Sequence, residues 1–234
     1  MTKTANYAKI SDKYTNNAYT EDKKMKNTAL SEYVKTALLT AIIFLLTFVP
    51  NIGYIPINPV INVTIIHVPV IIGSIVLGSR KGAFLGFAFG LSSFIKNTFF
   101  STSAMSFVFN PLFHISTGYY LGALYALVIC FVPRILVGVV PYCVYGALKK
   151  KITDVGALLT AGVAGSMTNT ILVMGLIGIL FKNEYTQMLG EKAANGVFAF
   201  IGATILTNGI AEAAVAAILA ATVAKALLIM KKRA

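Results

Sequence analysis

Three polar side chains interrupt apolar stretches of this chain at a shared depth. Arg134, Asn169 and Asn208 each stand about 11–12 residues in from the same end of three successive apolar segments, roughly 16–18 Å along a helix rising 1.5 Å per residue. Glu212 follows Asn208 by one turn on the same face. Nearer the shared end lie Ser92, Asn97, Thr98 and Asn110. A guanidinium can hold an anionic group, and carboxamides can hydrogen-bond amides and hydroxyls. A charge in mid-bilayer costs at least ~2.5 kcal/mol, so each one requires a partner or a function. Two arrangements meet that requirement. Arg134 can pair with Glu212 while the asparagines bridge helices. Alternatively, Arg134, Asn97, Asn110, Asn169, Asn208 and Glu212 can line a polar pocket open to the outside. The two can coexist if Glu212 holds Arg134 between ligands. His67, between Ile66 and Val68, is either a helix-packing donor or a member of the pocket.

The sequence offers little for other chemistries. It has no G-x-x-x-x-G-K-[ST] loop, no H-E-x-x-H pair and no nucleophile elbow. No helix repeats acidic residues as a proton relay would, and no inverted repeat is visible. The histidines His67 and His114 and the cysteines Cys130 and Cys143 lack metal-ligand spacing. The cysteines read as two small buried hydrophobes. No cofactor, metal or catalytic residue is expected.

The elements that must position these residues follow from composition. The chain has 234 residues, 57% hydrophobic and 12% charged, with mean hydropathy +0.77. A soluble domain is about 45–50% apolar and about 25% charged. So much apolar surface calls for lipid as solvent, and the expected fold is all-α, an integral membrane bundle of six helices. Helices are expected at about 33–49, 61–77, 81–97, 121–148, 155–181 and 197–230. A Pro-rich loop spans Pro50–Pro59, and a polar loop that partly re-enters spans about Thr98–Thr117. Residues 1–30 read as a polar cytosolic tail without signal-peptide character, and 31–234 as the membrane domain. The net charge of +12 does not signal nucleic acid, because the cations cluster between apolar runs. Lys23, Lys24 and Lys26, Arg80 and Lys81, Lys149–Lys151 and Lys231–Arg233 all fall on one side of a six-helix path. The positive-inside rule then makes both termini cytosolic.

Small residues indicate packing. Gly78, Gly82, Gly86 and Gly90 recur every fourth position, and Ala213, Ala217, Ala220, Ala221 and Ala224 mark the last helix. Such stripes let helices approach closely, within the chain or against another subunit. Ala37 and Ala41 form a further small pair on the first helix. Pro69 and Pro133 are expected to kink their helices.

Taken in order, these features resemble a known family. They are the Ala37-x-x-x-Ala41 pair, the Pro-rich first loop, His67-Val68-Pro69-Val70-Ile71-Ile72-Gly73 leading to Gly78-Ser79-Arg80-Lys81-Gly82, Phe131-Val132-Pro133-Arg134-Ile135-Leu136-Val137-Gly138, and Gly165-Ser166-Met167-Thr168-Asn169-Thr170. The chain resembles the substrate-binding S components of energy-coupling factor (ECF) vitamin transporters, which are ABC importers of the bacterial cell membrane. Ile65–Pro69 and Thr168–Met174 look most like the pantothenate type. The resemblance implies a subunit that binds a vitamin from outside. It then docks on a membrane coupling subunit carrying two ATP-binding subunits, and topples to deliver its load. It implies that Ala37 and Ala41 belong to the docking surface, and that the loops at Pro50–Pro59 and Thr98–Thr117 cap the site. Pantothenate suits the residues: a carboxylate for Arg134, and an amide and two hydroxyls for Asn169, Asn208 and Asn97. The chain has no tryptophan to stack on a large ring, although Phe99, Phe107, Phe113 and Tyr119 could stack instead. The alternatives are an S component for a folate-like or nucleobase-like vitamin, a stand-alone facilitator, a ligand-free structural protein and an intramembrane enzyme.

Overall fold

A computed structural model describes residues 29–50, 52–56, 62–100, 104–190 and 196–233. The polar tail at 1–28 and the centre of the Pro-rich loop lie outside the described residues. Contacts divide the chain into two units, Met1–Leu38 and Leu39–Ala234, with the boundary inside the first helix. Of the first unit, residues 29–38 are described. They are the opening turns of α1 (Ala29–Phe48), where the Thr36 hydroxyl donates to the Glu32 carbonyl at 2.8 Å.

In the second unit, α1 ends before a two-stranded antiparallel hairpin, β1 (Tyr54–Pro56) and β2 (Asn62–Thr64), in which Tyr54 is paired with Thr64. The sequence predicts a helix starting near residue 61. Instead β2 occupies 62–64, and α2 is the short helix Val68–Leu77. Pro69 sits in its first turn rather than kinking its middle. A proline lacks the N–H that an interior position needs, and the first turn needs none. Ten residues span about 15 Å, half of a ~30 Å hydrocarbon layer.

Gly78, at φ +95°, turns α2 into α3 (Ser79–Ile95). It is therefore a hinge of the backbone, and the small-residue ridge comprises Gly82, Gly86 and Gly90. The segment expected as a partly re-entrant loop is built of short helical pieces. They are a π-helical turn (Lys96–Phe100), a 3₁₀ helix (Ala104–Phe109) and α4 (Pro111–Ser116). The expected fourth helix divides at Gly138–Val139 into α5 (Tyr120–Val137) and α6 (Val140–Leu148), with Pro141 in the first turn of α6. After α7 (Asp154–Leu180) and α8 (Lys182–Leu189), the last crossing consists of α9 (Val197–Thr204), a π-helical turn (Ile205–Gly209) and α10 (Ile210–Arg233). Five helical stretches among the described residues are long and apolar enough to cross a membrane, and α2 is the shorter apolar helix beside them. Leu124, Phe84, Phe87, Ile171, Leu206 and Ile218 stand exposed around the bundle. Apolar exposure on that scale suits lipid.

Two hydrophobic cores fill the second unit. The basal core, which on α5, α7 and α10 lies towards the Arg80–Lys81 and Lys149–Lys151 turns and along α1 and α2 extends to Leu46 and Ile66 beside the hairpin, joins Val76, Leu85, Phe89, Val137, Leu158, Ala161, Ala216 and Ala220, among others. The apical core joins Val108, Ala126, Ile129, Val173, Ile177, Phe181, Tyr185 and Ile201. In lipid there is little hydrophobic drive between helices, so close packing has to hold the basal core. A Cβ on Gly82 would lie 2.0 Å from the Gly138 carbonyl oxygen, and one on Gly86 would lie 2.2 Å from that of Arg134. The glycine ridge of α3 is thus buried directly against the backbone of α5. Gly162 of α7 meets Ala217 of α10 in the same manner. These stripes serve packing within the chain.

A candidate binding layer between two cores

Each helix that contributes to both cores carries polar side chains in between. On α5, Ile129 belongs to the apical core and Val137 to the basal one, with Arg134 between them. On α7, Ala161 is basal and Val173 apical, with Ser166, Asn169 and Thr170 between. On the last crossing, Ile201 is apical and Ala216 basal, with Asn208 and Glu212 between.

Arg134 is 6% exposed. Its placement begins with the residue before it. Pro133 lies inside α5 and has no N–H to give the carbonyl four residues back, which is that of Ile129. The Arg134 guanidinium, through Nη1, donates to that Ile129 carbonyl. The proline creates an acceptor and the arginine fills it, drawing the side chain back along its own helix. The Phe89 ring of α3 and the Phe109 ring of the 3₁₀ helix lie 5.5 and 5.1 Å from the guanidinium carbon. Both distances are within cation–π range. One turn earlier on α5, the Cys130 thiol donates to the Phe109 carbonyl at 3.5 Å and so helps hold Phe109 over Arg134. Cys143, read from sequence as buried, is exposed, and both thiols are free.

Glu212 lies half-buried and bridges two elements. Its Oε1 accepts from the Thr64 backbone N–H of β2 at 2.9 Å. Its Oε2 accepts from the Thr170 hydroxyl of α7 at 3.3 Å, a proton shared with the Ser166 carbonyl, also at 3.3 Å. These local donors, and not Arg134, take up the carboxylate. The structure thereby ties Glu212 to the neighbour of Asn169. Gly209, beside Asn208, packs against the Thr170 methyl, with a Cβ there 3.0 Å from it.

The Oδ1 atoms of Asn169 and Asn208, the Thr98 hydroxyl and the Ser166 hydroxyl are buried without a hydrogen-bond partner among the described residues. An unsatisfied buried polar atom costs about 1–3 kcal/mol, which a ligand or water can recover. Two π-helical turns flank this layer, one holding Thr98 and the other Asn208. Such turns add one residue to a helix and redirect its side chains.

The remaining sequence candidates are placed differently. The Asn97 side chain donates to the Ser93 carbonyl at 2.8 Å. Asn110 caps α4, its Oδ1 accepting from the Phe113 N–H at 3.0 Å. His67 precedes α2, is fully buried, and has no hydrogen-bond partner for either ring nitrogen among the described residues. Ala37 and Ala41 are both exposed. The sequence reading did not single out Thr64, Thr170, Phe89 or Phe109 for this layer. Thr170, next to Asn169, carried a signal in its position. Phe109 carried none, because it arrives from a loop.

Comparison with known proteins agrees with this architecture. Residues 31–224 match the family described as ECF transporter, substrate-specific component. The chain is 38% identical over 207 residues to the pantothenic acid transporter PanT of Lactococcus lactis subsp. cremoris, covering 87% of this chain and 96% of that protein. It is 30% identical over 208 residues to the pantothenate transporter PanT of Leuconostoc mesenteroides subsp. mesenteroides, covering 80% of this chain and 93% of that one. With a six-helix membrane bundle and a polar layer set between two cores, the chain belongs to the substrate-specific components of ECF transporters.

Proposed function

We propose that this chain captures pantothenate and hands it to an ATP-driven partner module. The observation that carries the substrate reading is the pair of buried, unpartnered carboxamide oxygens of Asn169 and Asn208, on helices that, like that of Arg134, run from one core to the other. Pantothenate offers a carboxylate for Arg134, and an amide N–H and hydroxyls for oxygens that can only accept. Two relatives named for this vitamin support the same choice. In this reading Thr98 and Asn97 contribute from the π-helical turn at the end of α3. His67 stands at the edge of the site.

The energy comes from elsewhere, because the sequence holds no phosphate-binding loop. A membrane coupling subunit with two ATP-binding subunits supplies it, and the exposed Ala37 and Ala41 form part of the docking face. The positive-inside rule applied to the basic turns supports a cytosolic basal end and cytosolic termini, with the apical core facing outward.

The test is a thermal-shift screen on the purified chain with pantothenate, folate and nucleobases. A ligand at 1,000 times its Kd stabilises by about 4.1 kcal/mol. Pantothenate is expected to give the largest shift, and the chain alone no ATPase activity. No shift with pantothenate, with a large one for folate or a nucleobase, would overturn the substrate.

A further inference from the structure

The carboxylate of Glu212 has work that does not require a ligand. It is the point at which the last crossing grips the β1–β2 hairpin, reaching the Thr64 N–H at 2.9 Å across a separation of 148 residues. The hairpin is otherwise closed on itself: Tyr54 pairs with Thr64, and the Ile65 N–H donates to the Gly53 carbonyl at 3.0 Å. A backbone N–H turned away from its own sheet in an apolar setting must find an acceptor, and a carboxylate is among the strongest. The second carboxylate oxygen holds Thr170, adjacent in sequence to Asn169, while Asn208 lies one turn before Glu212 itself. The same two helix turns therefore carry the unpartnered amides and the anchor of the hairpin.

We propose that Glu212 is a positioning residue: it latches the β1–β2 hairpin to α7 and α10 and so slows escape of whatever occupies the polar layer. Both carboxylate oxygens face protein donors, so Glu212 acts on the ligand through the hairpin. The retention half of this proposal rests on the pantothenate reading. The latch itself does not.

Hydrogen exchange of residues 62–66, read by mass spectrometry in nanodiscs without ligand, tests the latch. Association and dissociation rates of radiolabelled pantothenate test retention. In Glu212→Ala, exchange of that segment should accelerate about tenfold or more. Dissociation should accelerate by a similar factor, with association little changed. Glu212→Gln should stay within about threefold of the parent chain, because its amide oxygen accepts from Thr64 and its amide nitrogen can donate to the Thr170 hydroxyl. Thr170→Val, which removes one arm, should fall between, and carries the same measurement if Glu212→Ala does not fold. Unchanged exchange at 62–66 in Glu212→Ala, or in Thr170→Val should that variant stand in, would overturn the latch. So would a Glu212→Gln defect as deep as that of Glu212→Ala, since the negative charge would then be what is recognised. If the parent chain does not bind pantothenate, the substrate reading fails while the exchange measurement still decides the latch.

Discussion

The two cores of this bundle are built by opposite means. The basal core is largely aliphatic, and at its closest helix crossings backbone meets backbone, at Gly82–Gly138 and Gly162–Ala217. In the apical core rings meet rings. His114 stacks on Phe181 at 5.0 Å, Phe107 and Tyr125 approach the same ring edge-on at 5.7 and 5.9 Å, and Tyr185 approaches Phe200 at 6.3 Å. Backbone contact fixes one register and leaves no slack, whereas rings held by weak edge contacts can repack. The short helical pieces, the 3₁₀ helix, α4 and α8, lie on the apical side of the polar layer, while the basal side carries the α5–α6 break at Gly138–Val139.

The largest effect that could break this comparison comes from the basal side. Gly82→Val forces a side chain into the Gly138 carbonyl and should cost about 3 kcal/mol, the upper part of the overpacking range, read as lost thermal stability in detergent. Gly202, in α9 of the apical half, has nothing within 4 Å of its missing Cβ. Gly202→Ala should therefore gain about 0.5–1 kcal/mol by restricting the unfolded chain. Equal tolerance at the two positions would remove the contrast between the cores.

The smallest effect concerns His114, in α4 and outside the spans. Its Nε2 lies 3.0 Å from the Phe107 carbonyl. Burial lowers its pKa below the usual 6.5, outweighing the hydrogen bond to Phe107 and the charge of Glu184, which raise it. The neutral ring is the form the fold prefers, so its contribution is complete above about pH 6.5. It is lost as pH falls below that value, where the unfolded chain takes up the proton first. The melting temperature of the parent chain should exceed that of His114→Gln at pH 7.5, and the gap should narrow at pH 5.5. A gap that widens in acid would contradict the stacked, neutral histidine.

What could be read in the sequence follows from what has a period or a cost. The crossings were legible because lipid demands long apolar runs, and the ridge Gly82–Gly86–Gly90 because helices repeat about every fourth residue. Arg134, Asn169 and Asn208 were legible because polar groups at depth are expensive. The hairpin was not, since strands of three residues within an apolar run leave no hydropathy signal. Gly78 and Pro69 show that residue type without backbone context misleads: one is a turn with positive φ, the other a helix start. The division at Gly138–Val139 hid inside a continuous apolar run. The Thr64–Glu212 bond was invisible because both partners depend on tertiary placement. The relation of Pro133 to Arg134 was written in two adjacent residues, yet its meaning appeared only when the Ile129 carbonyl was seen to receive the guanidinium.

The central claim is that Arg134 meets the carboxylate of the ligand in the layer between the cores. The most direct measurement compares pantothenate with pantothenol, its alcohol counterpart, by titration calorimetry on the parent chain and on Arg134→Gln. The account predicts that the parent chain prefers the acid about 100-fold, about 2.8 kcal/mol, and that Arg134→Gln reduces the preference to a few-fold. An acid preference that survives intact in Arg134→Gln would contradict it.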